Sequence, residues 1–554
     1  MIRHRRTFTA TSAMVAATAL VLAACGSGDD GNSGSGDGDG VDLDGKDVGA
    51  MDDYDVGVQF TATEPLNFST LYNEHPNYPL KDDWLFWEEL EERTNVTLDT
   101  TVVPLSDYED KRSLLIGSGD APLIMPKTYP GQEEPFVSSG AILPVSDYVD
   151  LMPNFQAKVE QWGLEDNLDT LRQEDGKYYV LPGLHEAPWQ DYTVAMRMDV
   201  LEDLGLEVPT DWDEFRDVLA AIKEEYPDSY PFSGRWNVPT PGGSMLNIVG
   251  MTFGTSAGWG FNHEQWDEDA GQFVYTGATE EYRAMLEYLH GLMEDGLMDP
   301  EGFTQDDDLA RQKFSNGRSF AIGTNAQTLV NEYRPDLAET NPDAVVAKIP
   351  LPAGPAGNVI NSTSQLENGI MLSSKAAESE NFVAMMQFID WLWYSDEGQE
   401  FAKWGVEGVT YTKDGDGTYT LADDVDFVAL NPDGDKHLQE DFGFSNGVFA
   451  YGGSTELLHS TFSEEEQEFQ EAMAEKDLLP LDPPHPFTEE EREQVTLWET
   501  PLKDHTEQAT LQFILGQRDL SEWDAYVAEL EAKGMSQYVD VVNEAYERYQ
   551  AEHG

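Results

Sequence analysis

Residues 96–125, VTLDTTVVPLSDYEDKRSLLIGSGDAPLIM, contain the pattern that decides the fold class. The β-branched run at 96–104 predicts a strand, and the apolar residues at 121–125 predict a second, short buried strand. The segment between them predicts a helix that ends in glycine. A strand–helix–strand order favours a doubly wound parallel sheet with helices on its faces, which is an α/β fold.

The residues before this stretch continue the same alternation. MDDYDVGVQF at 51–60 predicts a first strand, and LKDDWLFWEELEERTNV at 80–96 predicts a helix. Ligands of parallel sheets bind outside the carboxyl ends of the strands. The loops at 104–106 and 125–131 are therefore the expected mouth of a binding site.

Three amphipathic helices and two hairpins are predicted further along the chain. The segments 267–275 (DEDAGQFVY) and 413–421 (KDGDGTYTL) read as hairpins turned by Asp and Gly. Apolar spacing of i, i+3, i+4 and i+7 indicates helices with one core-facing stripe each. The stripes are Tyr282, Met285, Leu286, Leu289, Leu292 and Met293; Met385, Phe388, Ile389 and Leu392; and Trp523, Tyr526, Val527 and Leu530.

The first 50 residues predict a targeting and anchoring segment. Residues 1–24 have a basic start, a short apolar centre and small residues before Cys25, which is the layout of a signal peptide. The apolar centre falls short of the roughly 20 residues that cross a bilayer. Residues 26–50 consist largely of glycine, serine and aspartate, so residues 25–50 predict a disordered tether.

Cys25 is the only cysteine, so it has no disulfide partner. It follows Leu-Ala-Ala, and this tetrapeptide resembles the bacterial lipobox, whose cysteine sulfur receives a lipid. Two or three acyl chains, palmitate among them, would make a lasting anchor on the outer face of the cell membrane. The alternative is an ordinary secreted protein with a cysteine near its cleavage site.

The composition limits the classes of partner. The 554 residues include 106 Asp and Glu against 32 Lys and Arg, a net charge of −74. Nucleic acid is excluded as a partner, because binding it requires a cationic surface that displaces counterions. The length predicts two to three domains. One hypothesis for the acidity is halophilic adaptation, since concentrated salt screens self-repulsion.

An enzyme and a binding protein are the two classes that remain. G-x-S-x-G, Walker A and Cys/His zinc spacings are absent from the sequence, and no catalytic residue or cofactor is predicted. Carboxylates are so numerous that some pair will lie at the spacing of a glycosidase by chance. A secreted carbohydrate-active hydrolase therefore stays open as the alternative to a binding protein, as does a receptor for peptides.

Several stretches in a fixed order carry a family resemblance from about residue 53 onward. The series resembles the large extracellular solute-binding lipoproteins of bacterial ABC importers, and within them the oligosaccharide-binding branch of alginate- and aldouronate-type proteins. The stretches are WEELEERTNV, LLIGSGDAPLIM, GAILPVSDYVDLMPNF, GKYYVLPG, MRMDVLEDLGLEVPTDWDEF, YLHGLMEDGLMDPEGFT, LSSKAAESENFVAMMQFIDWLWYSDEGQEFAKWGVEGVTY and DLSEWDAYVAELEAKGMSQYVDVVNEAYERYQ.

The resemblance implies a two-lobed, periplasmic-binding-protein-like fold, each lobe a doubly wound sheet flanked by helices. The expected first lobe is 51–185 with about 310–380, and the second is about 186–309 with 381–554. The hinge is crossed more than once. The implied function is capture of an oligosaccharide between the lobes by a monomeric receptor that hands it to the permease subunits of an ABC transporter.

One departure from the family concerns metal. Relatives that resemble the alginate binders hold calcium in a loop after the helix that PTDWDEF begins. The corresponding residues here, KEEYPDSYPFS at 223–233, lack the alternating oxygen ligands and the central glycine, so no calcium is expected there. The segment DGDG at 414–417 is the next candidate, and a hairpin turn explains it more simply.

The expected ligand-binding residues are mainly aromatic, because apolar sugar faces stack on aromatic rings while hydroxyls take polar partners. Trp236 and Trp259 stand among loop-forming residues, and Tyr129 follows a strand. Trp189 follows the predicted crossover and Asn325 a short strand. Ser118 and Asp120 sit at a helix-to-strand corner. Packing, capping and turn formation are the alternative roles for these residues.

The sequence leaves the sugar open. A neutral oligosaccharide is the first expectation and an acidic one the second, because a uronate would require a cation in the cleft. Lys127, Arg197 and Arg235 are available, although Arg197 opens a segment that resembles a structural element of the family.

Overall fold

The computed structural model describes residues 41–237, 240–361 and 365–553. The predicted signal peptide and Cys25 lie outside these residues. The strands are β1 Leu66–Glu74, β2 Val96–Pro104, β3 Ile124–Thr128, β4 Leu181–Leu184, β5 Thr193–Arg197, β6 Phe232–Ser233, β7 Glu264–Asp267, β8 Gln272–Tyr275, β9 Ala321–Thr324, β10 Val346–Lys348, β11 Val359–Asn361, β12 Leu366–Leu372, β13 Tyr411–Lys413, β14 Tyr419–Leu421, β15 Val425–Asp426, β16 Lys436–His437 and β17 Asp477–Leu479.

The α-helices surround these strands. They are α1 Leu85–Thr94, α2 Tyr108–Ser118, α3 Glu134–Val137, α4 Pro153–Trp162, α5 Glu165–Asp169, α6 Met198–Leu204, α7 Trp212–Glu225, α8 Gly243–Phe253, α9 Glu280–Glu294, α10 Asp307–Ser315, α11 Ala326–Thr328, α12 Arg334–Thr340, α13 Phe382–Tyr394, α14 Asp396–Trp404, α15 Leu438–Phe442, α16 Thr455–Ser460, α17 Glu464–Ala474, α18 Glu489–Ile514, α19 Trp523–Ala532 and α20 Met535–His553. Among the described residues, no helix combines the length and apolarity of a membrane span.

The first sheet has the order β2-β1-β3-β12-β4 among the described strands. β1 runs parallel to β2 in unbroken register from Leu66 opposite Val96 to Glu74 opposite Pro104, and it also runs parallel to β3. β12 is antiparallel to both β3 and β4. The strand–helix–strand prediction at 96–125 is confirmed, because β2, α2 and β3 follow one another in that order.

The predicted strand at 51–60 is wrong. These residues form turns and irregular backbone, and the first strand begins at Leu66. Asp and Gly residues in this stretch favour turns. The apparent apolar alternation also fails as a buried face, since Val56 is 55% exposed while Phe60 is fully buried.

The second sheet has the order β10-β5-β9-β6 among the described strands. β5 is antiparallel to its neighbours β10 and β9, and β6 is parallel to β9. Each sheet therefore contains one strand that runs against the others, β12 in the first and β5 in the second. The chain enters β5 directly after β4 of the first sheet, and it enters β12 after β10 of the second sheet with only the short β11 between them.

Each sheet has its own hydrophobic core, and the described chain passes between the two cores three times. The passages run from β4 to β5, from β11 to β12, and from Leu457 in the first core to Phe469 in the second. This arrangement is the mixed α/β fold of periplasmic-type solute-binding proteins.

Two segments group differently from the expected lobe boundaries. The strands between residues 310 and 360 belong to the second sheet, because β9 pairs with β5 from Thr193 opposite Thr324 onward. The segment that begins at α13 belongs to the first core, where the rings of Phe388 and Phe68 lie 5.9 Å apart. The division into two lobes itself stays a prediction.

The predicted disordered tether extends too far along the chain. Residues 26–40 lie outside the described residues, but the compact body begins at Leu43. The Val48 amide donates to the Glu380 carbonyl at 2.9 Å, and the Val383 amide donates to the Lys46 carbonyl at 3.0 Å. These backbone bonds fix the residues before Ala50 against the start of α13.

The predicted helical stripes and hairpins are confirmed. The stripe residues lie on α9, α13 and α19, where most are buried and Met293 and Val527 pack at the edge of the core. β7 pairs with β8 and β13 with β14 as antiparallel hairpins. The DGDG segment at 414–417 connects β13 to β14, as a hairpin turn requires.

Candidate ligand-binding cleft

Four aromatic side chains from the two sheets meet between the cores. Tyr192 precedes β5, and its ring lies edge-on to Trp236 at 5.7 Å and to Trp259 at 5.5 Å. The two indoles are 5.8 Å apart. Tyr129 follows β3 in the first sheet. Burial raises the pKa of the Tyr192 phenol, and Tyr129 is close enough to add to this rise. We call these four side chains the aromatic cluster.

Tyr129 is accessible to water and is also closely surrounded by protein. It is 49% exposed to water, yet the surrounding protein desolvates its hydroxyl and raises the pKa of the phenol to about 12, with smaller contributions from nearby carboxylates. An aromatic ring that is both accessible and closely surrounded is suited to bind a ligand face. Trp259 is 38% exposed and offers a second such ring.

The backbone around the cluster holds the rings in place by close contact. Trp236 has a φ of 57°, a left-handed conformation that non-glycine residues rarely adopt, and its amide donates to the Asp307 carboxylate at 3.1 Å. A methyl group on Gly243 would lie 2.2 Å from the Trp259 indole nitrogen, so only glycine fits beside that ring. Such strain and crowding are typical of functional sites.

Asn325 lies beside the cluster and has two roles. Its side-chain oxygen accepts from the Thr328 amide at 2.8 Å and caps α11. Burial raises the pKa of Tyr192, and hydrogen bonding with the Asn325 side chain partly offsets that rise. The structure therefore brings Asn325 together with Tyr129, Trp236 and Trp259.

The first-sheet side of the cleft adds polar groups near Tyr129. The Lys127 ammonium lies 5.9 Å from the Tyr129 ring centre, and Lys127 has a φ of 56°. His75 stacks on Tyr78 at 4.8 Å. Burial, together with the charge of Lys127, lowers the pKa of His75 to about 4, so the imidazole is neutral at pH 7.

Of the three cations considered for an acidic sugar, two are already neutralised. Arg235 lies over the Trp236 ring at 4.7 Å but pairs with Glu332 at 2.6 Å. Arg197 forms a two-bond ion pair with Asp199. Lys127 has no ion-pair partner among the described residues, so it is the cation available to a ligand at the cluster.

Ser118 and Asp120 lie at the opposite end of the sheet from Tyr129. They stand before β3, whose full length separates them from the residues that follow its carboxyl end. The Ser118 hydroxyl donates to the Leu115 carbonyl at 3.2 Å and the Asp120 amide to the same carbonyl at 2.9 Å. These contacts are typical of a helix C-terminus. Capping and turn formation are the alternative roles that the sequence left open for these two residues.

Trp189 lies apart from the aromatic cluster, in the passage from β4 to β5. Its ring contacts the His185 ring at 5.3 Å. Both residues line a cavity of about 190 Å³ between the cores, which we call the connecting cavity. Asp191 and Ala326, the sequence neighbours of Tyr192 and Asn325, line the same cavity.

A wide groove of about 1140 Å³ opens on another side. Its walls come from the segment after β3, including Glu134 at the start of α3, and from the second core near His263. Arg492 of α18 bridges these walls, because it pairs with Glu134 at 2.6 Å, whereas its contact with Glu499 at 3.6 Å lies within α18. This ion pair joins the two sides of the groove.

Sequence reasoning missed Tyr192, the ring at the centre of the cluster. A signal existed, since it stands directly after the predicted crossover and before a strand. It also missed Glu367 near the start of β12, whose carboxylate oxygen lies 2.9 Å from His185 Nε2 and accepts from the Gly452 amide at 3.0 Å. These partners are distant in sequence, so no local pattern indicates them. Among the described residues, no group of His, Cys, Asp and Glu is arranged to hold a metal ion.

Two α/β sheets that face each other across an aromatic cleft, joined by repeated passages of the chain, define a receptor for solutes. The comparison of sequences agrees with this class. The chain belongs to the bacterial extracellular solute-binding protein family, whose model matches residues 78–400.

Individual relatives are similar over most of their length. The chain is 25% identical over 545 residues to the fructooligosaccharide ABC transporter substrate-binding protein FusA of Streptococcus pneumoniae serotype 4, covering 91% of this chain and 95% of FusA. It is 24% identical over 474 residues to the polygalacturonan/rhamnogalacturonan-binding protein YtcQ of Bacillus subtilis, covering 83% and 88%. The fold matches the alginate-binding protein AlgQ2 with a TM-score of 0.68 at 19% identity, covering 88% of this chain and 99% of AlgQ2.

Proposed function

We propose that this solute-binding protein captures an oligosaccharide between its two sheets and delivers it, unaltered, to the permease of an ABC transporter. The observation that carries the proposal is the aromatic cluster, because its rings come from both sides of the cleft. A ligand that stacks on Tyr129 and on Trp259 at once contacts both sheets. The relatives support the same ligand class, since FusA is named for fructooligosaccharide and YtcQ for polygalacturonan and rhamnogalacturonan.

Binding and closure are linked in this arrangement. A ligand shifts a conformational equilibrium only by the difference between its affinities for the two states. If the two sheets form separate lobes, a sugar that fills the cluster stabilises the closed form, in which Arg492 and Glu134 also meet. The three chain passages then act as the hinge.

The membrane anchor belongs to the same proposal. Cys25 would carry the lipid, and residues 26–42 would form the tether to the body that begins at Leu43. An anchored, monomeric receptor stays close to the permease that it supplies. The proposed anchor rests on the lipobox-like sequence, and the family supports an extracytoplasmic location.

A hydrolase fits the site less well than a receptor. A glycosidase requires a carboxylic acid with a raised pKa that faces the sugar. Burial alone would raise the pKa of Glu367, but the hydrogen bond from His185 and the nearby positive charges lower it overall. Glu367 is therefore held as a carboxylate by structural partners.

The test is a sugar panel on the purified mature chain. Fructo-, xylo-, gluco-, manno- and galacturono-oligosaccharides are titrated while tryptophan fluorescence is recorded, and each mixture is then assayed for new reducing ends. We expect at least one neutral oligosaccharide to change the fluorescence and to remain intact. Reducing ends that accumulate with time would overturn the proposal in favour of a hydrolase.

A further inference from the structure

Three residues that line the connecting cavity each have a buried polar atom with no hydrogen-bond partner in the described protein. These atoms are Nδ1 of His185, Nε1 of Trp189 and the hydroxyl of Tyr451. His185 is 2% exposed and Tyr451 is 3% exposed, so bulk water does not satisfy them. Buried polar atoms are nearly always hydrogen-bonded. Three unsatisfied atoms on residues that line one cavity therefore point to a site suited to a hydrogen-bonding ligand.

The three atoms offer a mixed set of donors and acceptors. His185 Nε2 faces the Glu367 carboxylate at 2.9 Å, and a carboxylate only accepts, so Nε2 carries the proton. In the neutral ring Nδ1 is then an acceptor. The Trp189 nitrogen donates, and the Tyr451 hydroxyl does either. Neighbouring hydroxyl groups on one ligand match this combination, because each hydroxyl both donates and accepts.

The charges on the cavity lining already have partners. Lys348, 8% exposed, pairs with Asp191 at 3.0 Å and with Glu466 at 2.8 Å. Arg334 pairs with Glu465. The Lys403 ammonium donates to the Ala450 carbonyl at 3.1 Å and is buried close to the charge of Glu367. A charged ligand would have to compete with these pairs, whereas an uncharged one would leave them intact.

The size and shape of the cavity suit a single ring. Its volume of about 190 Å³ exceeds the roughly 150 Å³ of a cavity that holds one benzene ring, and it lies below the roughly 300–1,000 Å³ of pockets for drug-sized ligands. Phe427, Phe462 and Phe469 supply apolar surface for the C–H faces of a ring. Val428 and Ser445 on the lining have φ values of 48° and 52°. A β-branched residue in that conformation is an outlier, and such strain concentrates at ligand sites.

We infer that the connecting cavity is a second binding site, beside the aromatic cluster, for one uncharged polyhydroxyl ring of the size of a monosaccharide. The ring is either a free monosaccharide or the terminal unit of a chain that the aromatic cluster holds. The second source rests on the proposed function. In both cases the ring joins a passage between the cores to the first core itself, because His185 and Trp189 come from the passage between β4 and β5 and Tyr451 belongs to the first core.

The decisive variant is Tyr451→Phe in the full mature chain. It removes the unpartnered hydroxyl without changing the ring volume, so the ligand-free protein should keep its melting temperature. Binding of the ring should weaken about three- to tenfold through the lost hydrogen bond. Trp189→Phe removes the second group and should weaken binding to a similar degree.

The matched control is Tyr394→Phe. That hydroxyl is also buried in the first core, but it donates to the Pro182 carbonyl at 2.9 Å and does not line the cavity. Its loss should lower the melting temperature and leave the affinity for sugars unchanged. The opposite responses of the two tyrosines separate a ligand contact from a structural contact.

Calorimetric titrations distinguish the two sources. The ligands are glucose, galactose, mannose, fructose and xylose, the corresponding oligosaccharides, and glucuronate and galacturonate. Monosaccharide binding that Tyr451→Phe weakens supports a free ring. Oligosaccharide binding alone, weakened by both Tyr451→Phe and Trp259→Ala, supports a terminal unit.

Three outcomes overturn the inference. In the first, no monosaccharide binds, and the oligosaccharide affinity falls in Trp259→Ala but not in Tyr451→Phe or Trp189→Phe. This result leaves the proposed function standing and means that only water fills the cavity. Uronates that bind more tightly than every neutral ring refute an uncharged ligand. The absence of binding by any sugar in the panel overturns the inference and the proposed function together.

Discussion

Replacing Trp259 by alanine measures how much of the ligand affinity comes from the aromatic cluster. The ring is 38% exposed, and the side chain of a tryptophan has a surface of about 250 Å², so roughly 95 Å² is available to a sugar. At about 25 cal/mol per Å², complete coverage contributes roughly 2.4 kcal/mol and coverage of half that area about 1.2 kcal/mol. Trp259→Ala should therefore raise the dissociation constant about 8- to 60-fold.

The assay is isothermal titration with the tightest oligosaccharide from the panel. Trp162→Ala is the matched control, because Trp162 is a partly buried tryptophan at the end of α4, where it packs beneath Lys158 and away from the cleft. Both variants lose apolar packing, but only Trp259→Ala should lose affinity. An affinity for Trp259→Ala within twofold of the unaltered protein would refute a stacking role for this ring. A loss of equal size in Trp162→Ala would show that the effect is not specific to the cleft.

Three further predictions concern charge. Burial raises the pKa of Glu133 from 4.5 to about 8, so between these pH values the folded protein holds a proton that the unfolded chain releases. The free energy of unfolding should therefore fall by up to about 4 kcal/mol as pH rises from 4.5 to 8. In urea titrations, the free energy of unfolding of Glu133→Gln should depend less on pH than that of the unaltered protein. Arg492→Gln breaks the ion pair with Glu134 across the groove, where both side chains are about one-third exposed. The rate of sugar release, followed by stopped flow, should rise about two- to fivefold, and this increase should be smaller in high salt. An unchanged rate would exclude a role of the ion pair in closure. Lys348→Met leaves two acidic partners buried without their cation and should lower the free energy of unfolding by about 3–5 kcal/mol in urea, whereas a loss below 1 kcal/mol would contradict the buried pairing.

The fold could be predicted wherever the pattern is local. β2, α2 and β3 follow from one 30-residue stretch, because β-branched runs, a glycine stop and an apolar strand each act over a few residues. The lobe boundaries could not be predicted in the same way. Whether β9 pairs with β5 depends on contacts over more than 120 residues, and an apolar stripe such as that of α13 shows that a helix is buried but not against which sheet.

The candidate site was predictable for rings in unusual local settings. Trp236 and Trp259 stand among glycines and prolines, where a core tryptophan is out of place, and both lie in the cluster. Ser118 and Asp120 have equally polar local settings but end up at the other end of β3, since a helix C-terminus and a strand's carboxyl end look alike in composition. Whether each of these residues binds the ligand stays a prediction.

The long delay between β3 and its partner β12 in the first sheet affects how the protein folds during synthesis. β3 leaves the ribosome about 240 residues before β12, which pairs along its open side. At a synthesis rate of roughly 5–20 residues per second this interval lasts about 12–48 seconds. During that time one edge of the nascent first sheet has no partner, and unpaired strand edges associate with other chains. A cell that makes this protein thus has reason to shield the emerging amino-terminal half with a holding chaperone until its distant strand arrives.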